Sequence, residues 1–149
     1  MNQQITSFSI PNASPRQVGW EFTCNANNVT VTHLSAVLPD AVSRVISLYQ
    51  VNTQQLLAQA NLPAGTAGQW RSVQLSTPVA LSISTNYVVC VFIPSGFNTN
   101  WYYLSPAPTS FQPTGTVSFV NARWDGSAST TPIFPGTTAG TAQYGICDI

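Results

Sequence analysis

The sequence predicts an all-β chain folded as an antiparallel two-sheet sandwich, jelly-roll-like, with roughly nine or ten strands. Three observations carry that expectation. Apolar residues recur at every second position over short runs, the periodicity of a strand with one buried face. Gly, Pro, Asn and Ser interrupt those runs about every ten residues, as turns do in sandwiches and barrels. One run, Tyr87 to Ile93, is apolar at every position, the pattern of a central strand covered on both sides.

The elements follow in order. Val18, Trp20, Phe22 and Cys24 share one face of the first clear strand, with Glu21 and Thr23 opposite. A second strand runs from Val29 to Leu38 and is stopped by Pro39-Asp40. Arg44 to Val51 and Leu56 to Leu62 form a hairpin around Asn52-Thr53-Gln54; only Asn52 to Leu62 has the spacing for even one helical turn. Pro63-Ala64-Gly65 opens a loop, Trp70 to Leu75 resumes the sheet, and Val79, Leu81 and Ile83 alternate after Pro78. Beyond the Tyr87 strand, Trp101 to Leu104, Thr116 to Trp124 and Tyr144 to Ile149 complete the set. Two loops are long, Pro94 to Trp101 and Asp125 to Gly140. The proline-rich LSPAPTSFQPTG from Leu104 to Gly115 reads as a crossover between sheets, so residues 1–149 are expected to be a single domain.

Charge sets the surface chemistry. Charged residues make up 5% of the chain, against about 25% in an ordinary soluble domain. The bases are Arg16, Arg44, Arg71 and Arg123, with no lysine; the acids are Glu21, Asp40, Asp125 and Asp148. Such a surface, built from hydroxyls and amides, offers no phosphate-neutralising patch and no basic face for anionic lipid, which argues against nucleic acid and membrane surfaces as partners. Near-zero net charge favours association, so a homo-oligomer or assembly partner is expected. The longest apolar stretch is too short to span a bilayer, and Met1 to Ile10 does not read as a signal peptide. The expected location is extracellular, at a cell surface or on a virion.

Few residues are equipped for catalysis. His33 is the sole histidine, lies mid-strand, and has no strand-turn-helix nucleophile to serve; it reads as structural. Four acids leave few candidates for a hydrolytic carboxylate pair. The chain is therefore expected not to be an enzyme and to carry no cofactor. A structural calcium held by Asp125 and loop carbonyls from Gly126 to Thr131 is the lesser alternative. Cys24, Cys90 and Cys147 have no metal-type spacing and read as buried thiols, with a Cys24–Cys147 bridge as the alternative.

The aromatic residues carry the functional signal. Sugars are held by flat aromatic faces, with amides and hydroxyls fixing orientation. Phe97 to Tyr103, FNTNWYY, sets large aromatics among Asn98 and Asn100 on a loop and a strand; Trp101 and Tyr103 share one strand face. Trp124 and Asp125, opening the second long loop, are the expected companions. The candidate ligand-binding set is thus Asn98, Asn100, Trp101, Tyr103, Trp124 and Asp125.

The order of segments resembles a β-sandwich family catalogued as a domain of unknown function. The matching pieces are Val18-Gly19-Trp20-Glu21-Phe22, Leu48-Tyr49 with Leu56-Leu57-Ala58, Gly68 to Val73, Thr77 to Leu81, and Asn86-Tyr87-Val88-Val89. Phe134-Pro135 and Tyr144 to Ile149 match its closing segment. The chain departs in having Ser-Leu-Tyr for a Leu-Trp pair and in lacking a glycine before the Tyr87 strand. The family occurs in large exported and surface-anchored bacterial proteins, beside sugar-processing or adhesive modules. The resemblance implies a sandwich with accessory binding or structural duties, identifies no catalytic residue, and assigns Trp20 and Trp70 to packing, since they align with its structural positions. Two functions are expected: a non-catalytic extracellular recognition module for a glycan or cell-surface polymer, carbohydrate-binding or adhesive, or a self-assembling subunit of a fibre, virion or surface appendage.

Overall fold

The computed structural model describes residues 5–10, 15–95, 99–104, 115–127, 129–139, 143–144 and 146–149; for 5–10, 99–104, 143–144 and 146 it describes the backbone alone. Nine strands of six or more residues appear: β1 (Ile5–Ile10), β2 (Arg16–Cys24), β3 (Val29–Val37), β4 (Arg44–Gln50), β5 (Leu56–Leu62), β6 (Trp70–Leu81), β7 (Thr85–Ile93), β8 (Thr99–Leu104) and β9 (Val117–Asp125). Three short ones follow, β10 (Thr137–Thr138), β11 (Gln143–Tyr144) and β12 (Ile146–Asp148). No helix occurs among the described residues, and every strand pairing is antiparallel.

One layer is a six-stranded sheet in the order β10-β9-β2-β7-β4-β5. The facing layer consists of two three-stranded sheets, β1-β8-β11 and β12-β3-β6, whose strands β11 and β12 are consecutive along the chain. The layers meet where β11 packs on β2 and β9, β12 on β2 and β7, and β5 on β6. The arrangement is an open antiparallel sandwich, as the alternation predicts.

The core draws on both layers. Trp20, Phe22, Ile46, Leu48, Tyr87, Val89 and Val91 come from the large sheet; Val31, Leu34, Ala36, Leu75 and Cys147 come from the other. Trp20 is fully buried and its Nε1 donates to the Cys147 carbonyl at 3.0 Å, a bond from β2 to β12 across the layers. A buried indole requires such an acceptor. Cys24, Cys90 and Cys147 are all free and buried. Burial pushes the Cys90 and Cys147 thiols well above the ordinary range, because it penalises the thiolate.

Two strands differ from expectation. The Trp70 and Val79 segments form one continuous strand, β6, which runs through Pro78. Proline is tolerated because β6 is a sheet edge, paired only with β3, where an absent N–H costs no ladder bond. The register absorbs the irregularity: between the pairs Val31↔Val79 and His33↔Gln74, β6 takes five steps while β3 takes two.

Strand β7 is buried from Tyr87 through Ile93. Its outer face is covered by the long segment after β9, where Phe134 packs edge-on against Tyr49, ring centroids 5.8 Å apart, over Val88 and Cys90. The second long loop is thus a strap across the outside of the large sheet.

Candidate binding surfaces

The expected aromatic site divides. Asn98 lies outside the described residues. Asn100, Trp101 and Tyr103 lie on β8, the middle strand of its sheet, in register with Ser9, Phe8 and Thr6 of β1; Tyr103 also pairs with Tyr144 of β11. Trp124 and Asp125 are successive residues of β9 and face opposite sides of the sheet. Trp124 packs inward on Val18 and Ile93, with the Arg16 guanidinium 5.6 Å from its ring centroid. Asp125 Oδ1 accepts the Ser127 N–H at 2.7 Å and so closes the first turn of the strap. These two side chains are therefore not brought together on one surface. No group of three or more His, Cys, Asp or Glu side chains converges among the described residues. His33 is exposed, its Nδ1 3.0 Å from the Thr32 hydroxyl.

A different surface presents an aromatic to solvent. Trp70, expected to pack, is 55% exposed at the start of β6. On β6, Trp70, Ser72 and Gln74 face outward while Arg71, Val73 and Leu75 face the interior. The paired residues of β3 are Val37, Ser35 and His33. Beside the indole, whose β3 partner Val37 is buried, the outside of this sheet carries the Ser35 and Ser72 hydroxyls, the Gln74 amide and the His33 imidazole, and the Ser35 hydroxyl donates to that of Ser72 at 2.9 Å. Successive outward residues lie roughly 7 Å apart along a strand.

That indole stands on a rigid base. Arg71, 5% exposed, donates through Nη1 to the carbonyls of Val42 (2.8 Å) and Pro63 (3.2 Å), and through Nη2 to that of Asp40. Arg44, also buried, pairs with the Asp40 carboxylate at 2.5 Å. Burial lowers the Arg44 pKa, an effect Asp40 opposes. The two loops flanking Trp70 are thereby tied to each other, and the Gly68 N–H adds a bond to the Leu38 carbonyl at 2.8 Å. Gly68 has φ +76°, a left-handed turn that glycine makes without strain and that delivers the chain into β6.

A family model described as "Domain of unknown function (DUF4082)" matches residues 2–146. The chain belongs to this family. DUF4082 carries no activity in its description, so the chemistry of the surface has to be read from the side chains themselves. No curated protein matches the chain.

The sequence contained a signal for the Trp70 surface. In WRSVQL the inward parity holds Val73 and Leu75, which leaves Trp70 on the outward parity with Ser72 and Gln74. The resemblance, which aligns Trp70 with a structural position of the family, pointed the other way.

Proposed function

We propose that the chain is a non-catalytic recognition module that holds a neutral, hydroxyl-rich polymer, carbohydrate in the first place, against the outer face of the β12-β3-β6 sheet. The observation that carries this reading is Trp70: a half-exposed indole on a fixed strand, flanked by Ser35, Ser72, Gln74 and His33 rather than by charge. An indole face stacks on the apolar face of a pyranose ring, while neighbouring amides and hydroxyls select orientation. Asn100, Trp101 and Tyr103 of β8, with Asn98 from the segment before it, remain the second set proposed for glycan contact. With this reading goes an extracellular, cell-surface or virion location, motivated by the uncharged composition. The experiment is a glycan array followed by titration of Trp70→Ala, Trp101→Ala and wild type. Trp70→Ala is expected to weaken binding about tenfold or more with an unchanged melting temperature. Glycan binding that survives Trp70→Ala unaltered would overturn the Trp70 assignment.

A second reading, a self-assembling subunit, is favoured by the β5 edge. Among the described residues this strand pairs only with β4, and it exposes Leu56 at 45%; a chain without lysine has none to blunt the edge. Light scattering should then show concentration-dependent oligomers that Leu56→Lys disperses. A strictly monomeric species at all concentrations would refute it.

A further inference from the structure

At one end of the sandwich the layers part. The beginning of β3, the beginning of β9 and the end of β12 line a cavity of about 210 Å³ that is open to solvent on one side. Among the described residues its walls are Val29, Val31, Val117 and Ile149, with Thr30 and Thr116 beside them and Asp148 as the one ionisable side chain. For scale, an engineered apolar cavity of about 150 Å³ accepts benzene. The space here suits an apolar body somewhat larger than one aromatic ring.

Asp148 makes this more than a gap in packing. Its Oδ1 accepts the Ile149 N–H at 2.9 Å, and it has no ion pair among the described residues. No arginine is at hand to neutralise it. Arg44 and Arg71 are engaged with Asp40, Arg123 with Glu21, and Arg16 lies over Trp124. Asp148 is exposed at the edge of the cavity, and partial desolvation there raises its pKa against the pull of the Ile149 N–H. A carboxylate at the edge of an apolar cavity is placed to pair with a cation whose own apolar body fills the space.

We propose that this cavity binds a small amphiphilic ammonium: an aromatic or short aliphatic body between Val29, Val31 and Val117, with its primary amine paired to Asp148. The site is separate from Trp70 and does not depend on the glycan reading.

The test uses the whole chain, methyl-labelled at valine, titrated with benzylamine and with benzyl alcohol at neutral pH. Benzylamine is expected to give saturable shifts at the methyls of Val29, Val31 and Val117. Asp148→Asn should weaken benzylamine about tenfold while leaving benzyl alcohol within about twofold, and Val117→Phe should abolish both by filling the space. Thermal melts of each variant separate loss of binding from loss of fold. Absence of saturable shifts with either probe overturns the site. Equal affinity of the two probes, or an Asp148→Asn variant that binds benzylamine as wild type does, overturns the ammonium assignment.

Discussion

Replacing Glu21 with alanine should be among the most damaging single changes in the chain. Glu21 projects from the outer face of β2, where an acid would ordinarily meet water, yet it is 3% exposed beneath the strap. Its Oε2 accepts from Arg123 Nε at 2.7 Å and lies 2.6 Å from Nη2, while Oε1 accepts from Asn86 Nδ2 at 2.8 Å. Arg123 also donates to the Gly136 carbonyl at 3.2 Å and lies 5.7 Å from the Phe134 ring centroid, so the pair pins the strap to the sheet. Truncating one partner of a buried pair leaves the other charge desolvated, at about 3–5 kcal/mol. The Arg123 side chain keeps 12% exposure, which places the expected loss near the lower end, about 3 kcal/mol. With a urea m-value of about 2 kcal/mol per molar, the midpoint should fall by about 1.5 M. The paired variant Glu21→Leu with Arg123→Met removes both charges and should recover most of that loss, because well-packed apolar replacements of buried pairs are close to neutral. Urea unfolding of Glu21→Ala, of Glu21→Leu and Arg123→Met singly, and of the double variant decides the matter. A Glu21→Ala shift under about 0.5 M, or a double variant as unstable as the sum of the singles, would refute the reasoning.

Three further outcomes are expected. Burial raises the Tyr49 pKa to about 12, so its neutral phenol supports the fold fully below its ordinary value near 10 and that support is lost as pH climbs toward 12. Absorbance titration should show a late tyrosine step that Tyr49→Phe removes, and the same variant should flatten the decline in stability between pH 10 and 12. The three cysteines should resist a thiol reagent in the native protein and react together on unfolding; fast reaction of any one of them in the folded chain would contradict their burial. Gly19→Ala should destabilise by about 1–3 kcal/mol in thermal or urea unfolding, because a Cβ there would sit 2.0 Å from the Val89 carbonyl oxygen and 2.6 Å from Cys90 Cα, both backbone atoms that cannot swing aside.

The sequence by itself determined the class of fold and most of its strands. Period-two alternation is a local property, and a one-residue slip would turn every apolar side chain of β2 to the wrong face, so Val18, Trp20, Phe22 and Cys24 declare their side without help from the rest of the chain. The unbroken apolar run of β7 likewise announced cover on both faces. What provides that cover was not legible, since Phe134 reaches Tyr49 only once the strap has folded back over the sheet. Tertiary structure also decided the fate of the polar and aromatic residues. Arg71 is inside because carbonyls 8, 29 and 31 residues distant converge on its guanidinium, and Glu21 is inside because Arg123, 102 residues away, meets it there. Trp124 and Asp125, adjacent in sequence, part to opposite faces, whereas Trp70 is left in solvent by a strand parity that places Arg71 below it. Burial follows from local pattern when the side chain is apolar; for a charge or an indole it depends on which distant group is there to receive it.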